Sequence, residues 1–156
     1  MKKKTALITG ISGQDGAYLA KFLLKKNYRV VGSDRRSSRS NNWRLEELDI
    51  GSKVIIEDLD VIEISNIARI FQKYSIDEVY NLAAQSFVAT SFKSPLNTSN
   101  VTGLGVLRIL ETIKSINRKI KFYQASSSEM FGKIFDKKQS EKTQLNPQSP
   151  YAISKV

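Results

Sequence analysis

Three glycines spaced three apart, Gly10, Gly13 and Gly16, lie between a short apolar run and a helical pattern, and they constrain the fold more than any other feature. The run Lys4-Thr5-Ala6-Leu7-Ile8-Thr9 reads as a buried parallel strand closed by Gly10. After Gly16, the residues Tyr18, Leu19, Phe22 and Leu23 recur at three- and four-residue intervals, which predicts a helix through Lys26 ended by Asn27, with these four as its apolar positions. A strand, a glycine turn and a helix in succession make an anion cradle. Gly10 permits the tight turn, Gly13 lets a pyrophosphate approach the backbone, and Gly16 lets the helix pack close to the sheet, while helix N–H groups and the helix dipole attract the phosphates. Gly10, Ser12, Gly13, Gln14, Asp15 and Gly16 are therefore candidate cofactor-binding residues.

The pattern then repeats. Arg29–Asp34 reads as a second strand and residues 53–57 as a third, after which Asp60 is a candidate cap for a helix with apolar positions Ile64, Ile67, Ile70 and Phe71. Residues 78–82 read as a fourth strand, 95–115 as one long helix, and 121–126 as a fifth strand ending in serines. Alternating strands and helices predict a parallel sheet covered on both faces, the Rossmann-type doubly wound α/β fold, here as one cofactor-binding domain over residues 1–156. Repeats and low-complexity tracts are absent. Ser149-Pro150-Tyr151 reads as a helix start with Ser as N-cap and Pro in the first turn, five residues from the last one given, so the chain is expected to be part of a longer protein.

Composition removes several chemistries. The 156 residues contain no Cys and no His, which excludes disulfides, Cys or His metal ligands, Cys nucleophiles and His-based triads, and leaves Tyr, Lys, Asp, Glu or Ser for proton transfer. No metal is expected. A net charge of +10 would suit nucleic acid, but the basic residues are scattered and form no stripe beside stacking aromatics, so no nucleic-acid partner is expected. The basic start Lys2-Lys3-Lys4 precedes an apolar run too short for a signal peptide or a membrane span. A reducing cytoplasm is the expected location.

At the end of the second strand the cofactor signals conflict. Asp34 stands where an acid accepts hydrogen bonds from the ribose 2'-OH of NAD, while Arg35 and Arg36 offer the guanidinium groups that a 2'-phosphate prefers. Arg39 and Arg44, further along, read as a solvated basic loop. Near the far end, Tyr151 and Lys155 form Tyr-x-x-x-Lys, whose four-residue spacing puts both side chains on one helix face. An ammonium beside a phenol favours the phenolate, which makes a usable base.

The glycine spacing together with Tyr-x-x-x-Lys resembles the extended short-chain dehydrogenase/reductases. The string Ala6-Leu7-Ile8-Thr9-Gly10-Ile11-Ser12-Gly13-Gln14-Asp15-Gly16-Ala17-Tyr18-Leu19, with Gln124-Ala125-Ser126-Ser127-Ser128-Glu129, is similar to the GDP-mannose 4,6-dehydratases within them. The resemblance covers essentially the whole chain and implies NADP, with NAD as the alternative, through Arg35-Arg36-Ser37-Ser38 at the adenosine phosphate and a neighbouring subunit. It implies Asp58 and Leu59 at the adenine, and Leu82, Ala83, Ala84, Gln85 and Ser86 under the ribose and nicotinamide. It further implies Ser127, Glu129, Tyr151 and Lys155 as catalytic residues, with Tyr151 and Lys155 also touching the cofactor. Asn97 and Phe131 replace residues that are often Tyr in the family, and Ser127 replaces a frequent Thr.

The reaction so implied converts GDP-mannose to GDP-4-keto-6-deoxy-mannose. Tyr151, supported by Ser127 and Lys155, takes the sugar 4-OH proton as hydride leaves C4; Glu129 takes the C5 proton and assists loss of the C6 hydroxyl as water; hydride returns to C6. An epimerase or keto-sugar reductase would use the same loop and Tyr-Lys pair without needing Glu129, and a cofactor-binding fragment without turnover is a further alternative. The resemblance also implies a homodimer or homotetramer and a carboxyl-terminal part, outside these residues, that recognises GDP and mannose.

Overall fold

Five parallel strands, β1 (Thr5–Thr9), β2 (Arg29–Asp34), β3 (Ile55–Asp58), β4 (Glu78–Asn81) and β5 (Lys121–Gln124), form one sheet in the order β3-β2-β1-β4-β5. The computed structural model describes residues 3–38, 40–133 and 138–156; Arg39 of the basic loop lies outside the described residues. Seven α-helices are described: α1 (Gln14–Lys25), α2 (Trp43–Glu47), α3 (Ile64–Lys73), α4 (Val88–Lys93), α5 (Pro95–Ser99), α6 (Gly105–Ile116) and α7 (Pro150–Lys155). Two units separate by their internal contacts, one of Met1–Ala83 with Arg108–Ala125, the other of Ala84–Leu107 with Ser126–Val156. The whole sheet belongs to the first. No helix among the described residues is long and apolar enough to cross a membrane.

The sheet order has its reversal between β1 and β4, the place where doubly wound folds open a crevice beyond the strand carboxyl ends. Both faces of the central strands are buried, which is why β1 is buried at every position and apolar at its centre, Ala6-Leu7-Ile8. Ala6, Ile8 and Val30 join Ile11, Ala17, Ala20 and Leu23 in one cluster. Leu7, Val31 and Val79 are cross-strand neighbours on the opposite face and equally buried. Full burial of each such aliphatic side chain stabilises the fold by roughly 1.5–3 kcal/mol.

Several expected boundaries shift for identifiable reasons. Asn27 does end α1: it adopts φ 62°, and the Asn27 and Tyr28 amides donate to the Leu24 and Leu23 carbonyls. Tyr18 and Phe22, however, are not core residues, being 59% and 54% exposed. Leu23 is buried as expected and Leu19 packs partly buried against the core, but Ala17 and Ala20 are buried in place of Tyr18 and Phe22, because two alanines let the helix lie close against the strands. Asp60 does not cap α3. Its carboxylate accepts from the Ile62 amide, Glu63 occupies the cap position, and Ile64 is exposed while Ile67, Ile70 and Phe71 are buried. The third strand starts at Ile55, since Gly51–Lys53 forms a 3-10 turn, and β4 and β5 end at Asn81 and Gln124. The long helix expected over 95–115 is helical throughout but passes through a π-turn at Asn100–Leu104 between α5 and α6.

Candidate functional site

In the sheet unit, the loop from Gly10 to Gly16 leaves β1 at the reversal of strand order. Gly10 has φ +70°, and its amide donates to the Ser33 carbonyl at 2.7 Å. The Ile11 amide donates to the same carbonyl, the Gly13 amide donates to the Gly10 carbonyl at 3.1 Å, and the Ser12 amide donates to Asp34 Oδ2 at 3.1 Å. These bonds engage the loop's own N–H groups. The amides left for an anion are those in the first turn of α1, whose N-cap, Gly13, provides no side-chain acceptor.

Substitution geometry tests whether a pyrophosphate suits this place. A Cβ on Gly16 would lie 2.5 Å from the Gly10 carbonyl oxygen and 2.7 Å from Ile11 Cα, so Gly16 is demanded by the closeness of helix and loop. A Cβ on Gly13 would meet only the Gly10 oxygen, at 3.2 Å, and the residue is otherwise exposed along with Gln14 and Asp15. Packing does not require glycine at 13; an approaching ligand would. Exposed backbone at an uncapped helix start is what a dinucleotide pyrophosphate needs.

Around the loop, the strand ends are joined by a buried polar ladder. Thr9 Oγ1 donates to Asn81 Oδ1 at 2.5 Å, and Asn81 Nδ2 donates to Gln124 Oε1 at 2.8 Å. Thr9 Oγ1 also accepts from the amides of Leu82 and Ala83, so the chain leaving β4 is tied to the end of β1. At the outer strands, the Leu59 amide donates to the Asp34 carbonyl at 2.9 Å. Leu59 is buried, whereas Asp58, Arg35 and Arg36 are exposed. Burial raises the Asp34 carboxyl above the usual range, partly offset by its bonds from Ser12.

Arg44 departs from the sequence expectation of a solvated loop. It lies on α2, its Nη1 donates to the Ser12 carbonyl at 3.0 Å, and its guanidinium stacks 4.2 Å from the centre of the Trp43 ring. Fully buried Leu45 anchors the same turn. Sequence reasoning missed this helix. The only available signal was the spacing of Trp43, Leu45 and Leu48, too short to establish a period.

In the other unit, Ser149 caps α7 by accepting from the Ala152 amide at 3.0 Å, with Pro150 in the first turn. Tyr151 and Lys155 share a helix face, with Lys155 Nζ 5.8 Å from the centre of the Tyr151 ring. Tyr151 is buried, and burial lowers the Lys155 ammonium below its ordinary value. The 3-10 turn Ser128–Met130 packs against α7, and Ser127 caps that turn by accepting from the Glu129 amide at 3.2 Å. The four expected catalytic residues thus lie on two packed elements, with Glu129 exposed. Gly132 closes the segment at φ +56°, where a Cβ would overlap the Asn146 carbonyl oxygen. Phe131 beside it is partly buried.

Also in this unit, α4, α5 and the π-turn pack against α7, and Ser99 Oγ lies 3.2 Å from Ser154 Oγ. The Gln85 amide donates to Thr102 Oγ1 at 3.1 Å, and its Oε1 is buried without a hydrogen-bond partner. Ala84 is partly buried, Ser86 and Asn97 are exposed, and Asn97 lies on α5.

A sequence profile of the family described as GDP-mannose 4,6 dehydratase matches residues 7–156. The chain belongs to that family. A GDP-mannose 4,6-dehydratase of Vibrio cholerae serotype O1 is 48% identical over 165 residues, an alignment covering 100% of this chain and 44% of the relative. GDP-mannose 4,6 dehydratase 1 of Arabidopsis thaliana is 47% identical, over 98% of this chain and 45% of its own length. The chain therefore spans less than half the length of these curated relatives. Among solved structures, a UDP-glucose 4-epimerase from Bifidobacterium longum in complex with NAD+ and UDP superposes with TM-score 0.86 at 27% identity, over 97% of this chain and 46% of that one.

Proposed function

We propose that the protein to which these residues belong dehydrates GDP-mannose to GDP-4-keto-6-deoxy-mannose, with NADP held throughout the cycle. Residues 1–156 form the cofactor-binding part, and substrate recognition by GDP and mannose contacts lies elsewhere in the protein. The observation that carries this reading is the pairing of the Tyr151 and Lys155 helix face with the packed turn bearing Ser127 and Glu129, in a chain of this family.

When bound, the nicotinamide would supply reversible hydride transfer, so the reaction would have no net redox change. The chain's own residues move the protons. Tyr151 Oη receives the proton of the sugar 4-OH, with the Lys155 ammonium and the Ser127 hydroxyl placed to support that transfer. A ketone at C4 acidifies C5, and the Glu129 carboxylate removes that proton. The same proton leaves with the C6 hydroxyl as water, which returns Glu129 to its starting form; as hydride comes back to C6, Glu129 passes a solvent proton to C5, and Tyr151 releases to solvent the proton it took from the 4-OH. The first-turn amides of α1 would hold the pyrophosphate, Arg35 and Arg36 the 2'-phosphate, Asp58 and Leu59 the adenine, and the segment from Leu82 to Ser86 the ribose and nicotinamide.

The solved structure in complex with NAD+ and UDP supports a dinucleotide cofactor and a sugar-nucleotide substrate. That structure is an epimerase, which is the second reading. Glu129 favours the dehydratase, because epimerisation at C4 requires no elimination base at C5. We place the protein in the cytoplasm as a homo-oligomer. Incubation of the full-length protein with GDP-mannose and NADP, followed by mass analysis of the nucleotide sugar, tests the proposal. Loss of one water from the sugar is expected, and an unchanged mass with altered stereochemistry at C4 would establish the epimerase.

A further inference from the structure

We propose that Arg44 and Asp34 bracket Ser12 from the two sides of its backbone and hold the glycine loop in its phosphate-receiving shape, making both positioning residues rather than readers of the cofactor. The inference rests on the dinucleotide reading given above and extends it to residues that reading leaves without a role.

Two consecutive peptide groups are held by opposite charges. The Ser12 N–H donates to the Asp34 carboxylate at 3.1 Å, and the Ser12 carbonyl accepts from the Arg44 guanidinium at 3.0 Å. Charge-assisted bonds of this kind are about twice as strong as neutral ones, and here they act on a loop whose flanking glycines resist little rotation. The anchors are themselves fixed. Asp34 ends β2, whose register with β1 and β3 is set by the ladder, and its backbone carbonyl accepts from Leu59. Arg44 lies over the Trp43 ring, on a turn where the Asn42 carbonyl accepts from the Leu45 and Glu46 amides and Leu45 is fully buried.

The bracket has a directional effect. With the Ser12 N–H turned toward Asp34 and the Gly13 N–H toward the Gly10 carbonyl, the loop backbone runs into α1, whose first-turn amides take no part in these bonds. Releasing Ser12 would let the peptide planes rotate and misalign that turn. The acid ending β2 then serves the loop's shape. Its removal should weaken every pyrophosphate ligand alike instead of changing the choice between a ribose 2'-OH and a 2'-phosphate.

Arg44→Met and Asp34→Asn in the full-length protein test this, with Arg44→Lys, which keeps the stem over Trp43 and one donor, as the milder variant should either fail to fold. Two quantities are measured: amide hydrogen exchange of residues 10–16 without cofactor, and dissociation constants for NADP, NAD and ADP-ribose. Loop exchange is expected to rise about tenfold, with all three ligands weakened by a common factor of about ten and the NADP to NAD ratio unchanged, and Arg44→Lys falling between. A shift of that ratio in Asp34→Asn, or loop exchange unaltered in Arg44→Met, overturns the bracket. Failure of the unsubstituted protein to bind any of the three ligands would sink the dinucleotide reading instead, and loop exchange would still decide whether Ser12 is held.

Discussion

Glu57, near the end of β3, accepts a hydrogen bond from Lys73 Nζ at 2.6 Å on α3, and the same carboxylate accepts from Tyr74 Oη at 2.5 Å and Arg69 Nη1 at 3.1 Å. Arg69 also donates to the Asp58 carbonyl, so the outermost strand is pinned to its helix beside the expected adenine contact.

This cluster makes an acid-sensitive contribution. Lys73, with Tyr74 and Arg69, lowers the Glu57 carboxyl from 4.5 to about 2. A depressed acid stabilises the fold only while ionised, so its contribution is full above about pH 4.5 and disappears as pH falls toward 2. Glu57→Gln should destabilise the protein by about 1–3 kcal/mol at neutral pH, the cost of losing hydrogen bonds to a charged group. Urea unfolding of both proteins from pH 7 to pH 3 checks this, the gap between them narrowing with acid.

Two glycines of one loop should respond differently to the same added methyl. Gly16→Ala forces overlap with Gly10 and Ile11, and should lower stability by about 1–3 kcal/mol as overpacking does. Gly13→Ala meets only one atom at 3.2 Å and should leave the melting temperature within a few degrees while weakening dinucleotide binding. Calorimetry for melting and titration of NADP separate the two.

Arg35 is exposed immediately after Asp34, at the position proposed above for the 2'-phosphate contact. Arg35→Ala in the full-length protein should reduce affinity for NADP by roughly tenfold to a hundredfold and leave NAD nearly unaffected, the value of a charge-assisted bond to phosphate. Equal losses for both cofactors would assign the discrimination elsewhere.

The catalytic proposal separates into two substitutions. Glu129→Gln should cut dehydration about a hundredfold to ten-thousandfold, the range for a positioned general base, while absorbance of the reduced nicotinamide builds up because oxidation at C4 needs no acid at 129. Tyr151→Phe should stop the sequence earlier, with no absorbance change on adding GDP-mannose. Full activity in Glu129→Gln would return the epimerase reading to first place.

Strand identity was legible because the glycine turn and the left-handed Asn27 mark where chain direction changes, and β2 falls on the residues its pattern predicts. Phase was not. Spacing alone cannot tell which stripe of α1 faces inward, and Ala17 and Ala20 won the buried side from Tyr18 and Phe22 because closeness to the strands favours small residues. The π-turn at Asn100–Leu104 was invisible for a related reason: one widened turn leaves apolar periodicity almost unchanged. On the candidate site, the sharing of a face by Tyr151 and Lys155 follows from helical geometry, and the capping role of Ser149 from residue type. Arg44 could not be read, since its partner lies 32 residues away and only the folded chain brings them together.

The hydrogen bonds from Thr9 through Asn81 to Gln124 work as a ruler across three strands. A slip of β4 by one position would set Tyr80 or Leu82 beside Thr9, strand three polar groups in the interior and turn every β4 side chain to the wrong face. The alignment is thus checked at the rim from which the connecting segments depart. Each of those segments begins at a fixed origin, so insertions or deletions further along them can alter reach and shape without displacing the starting points.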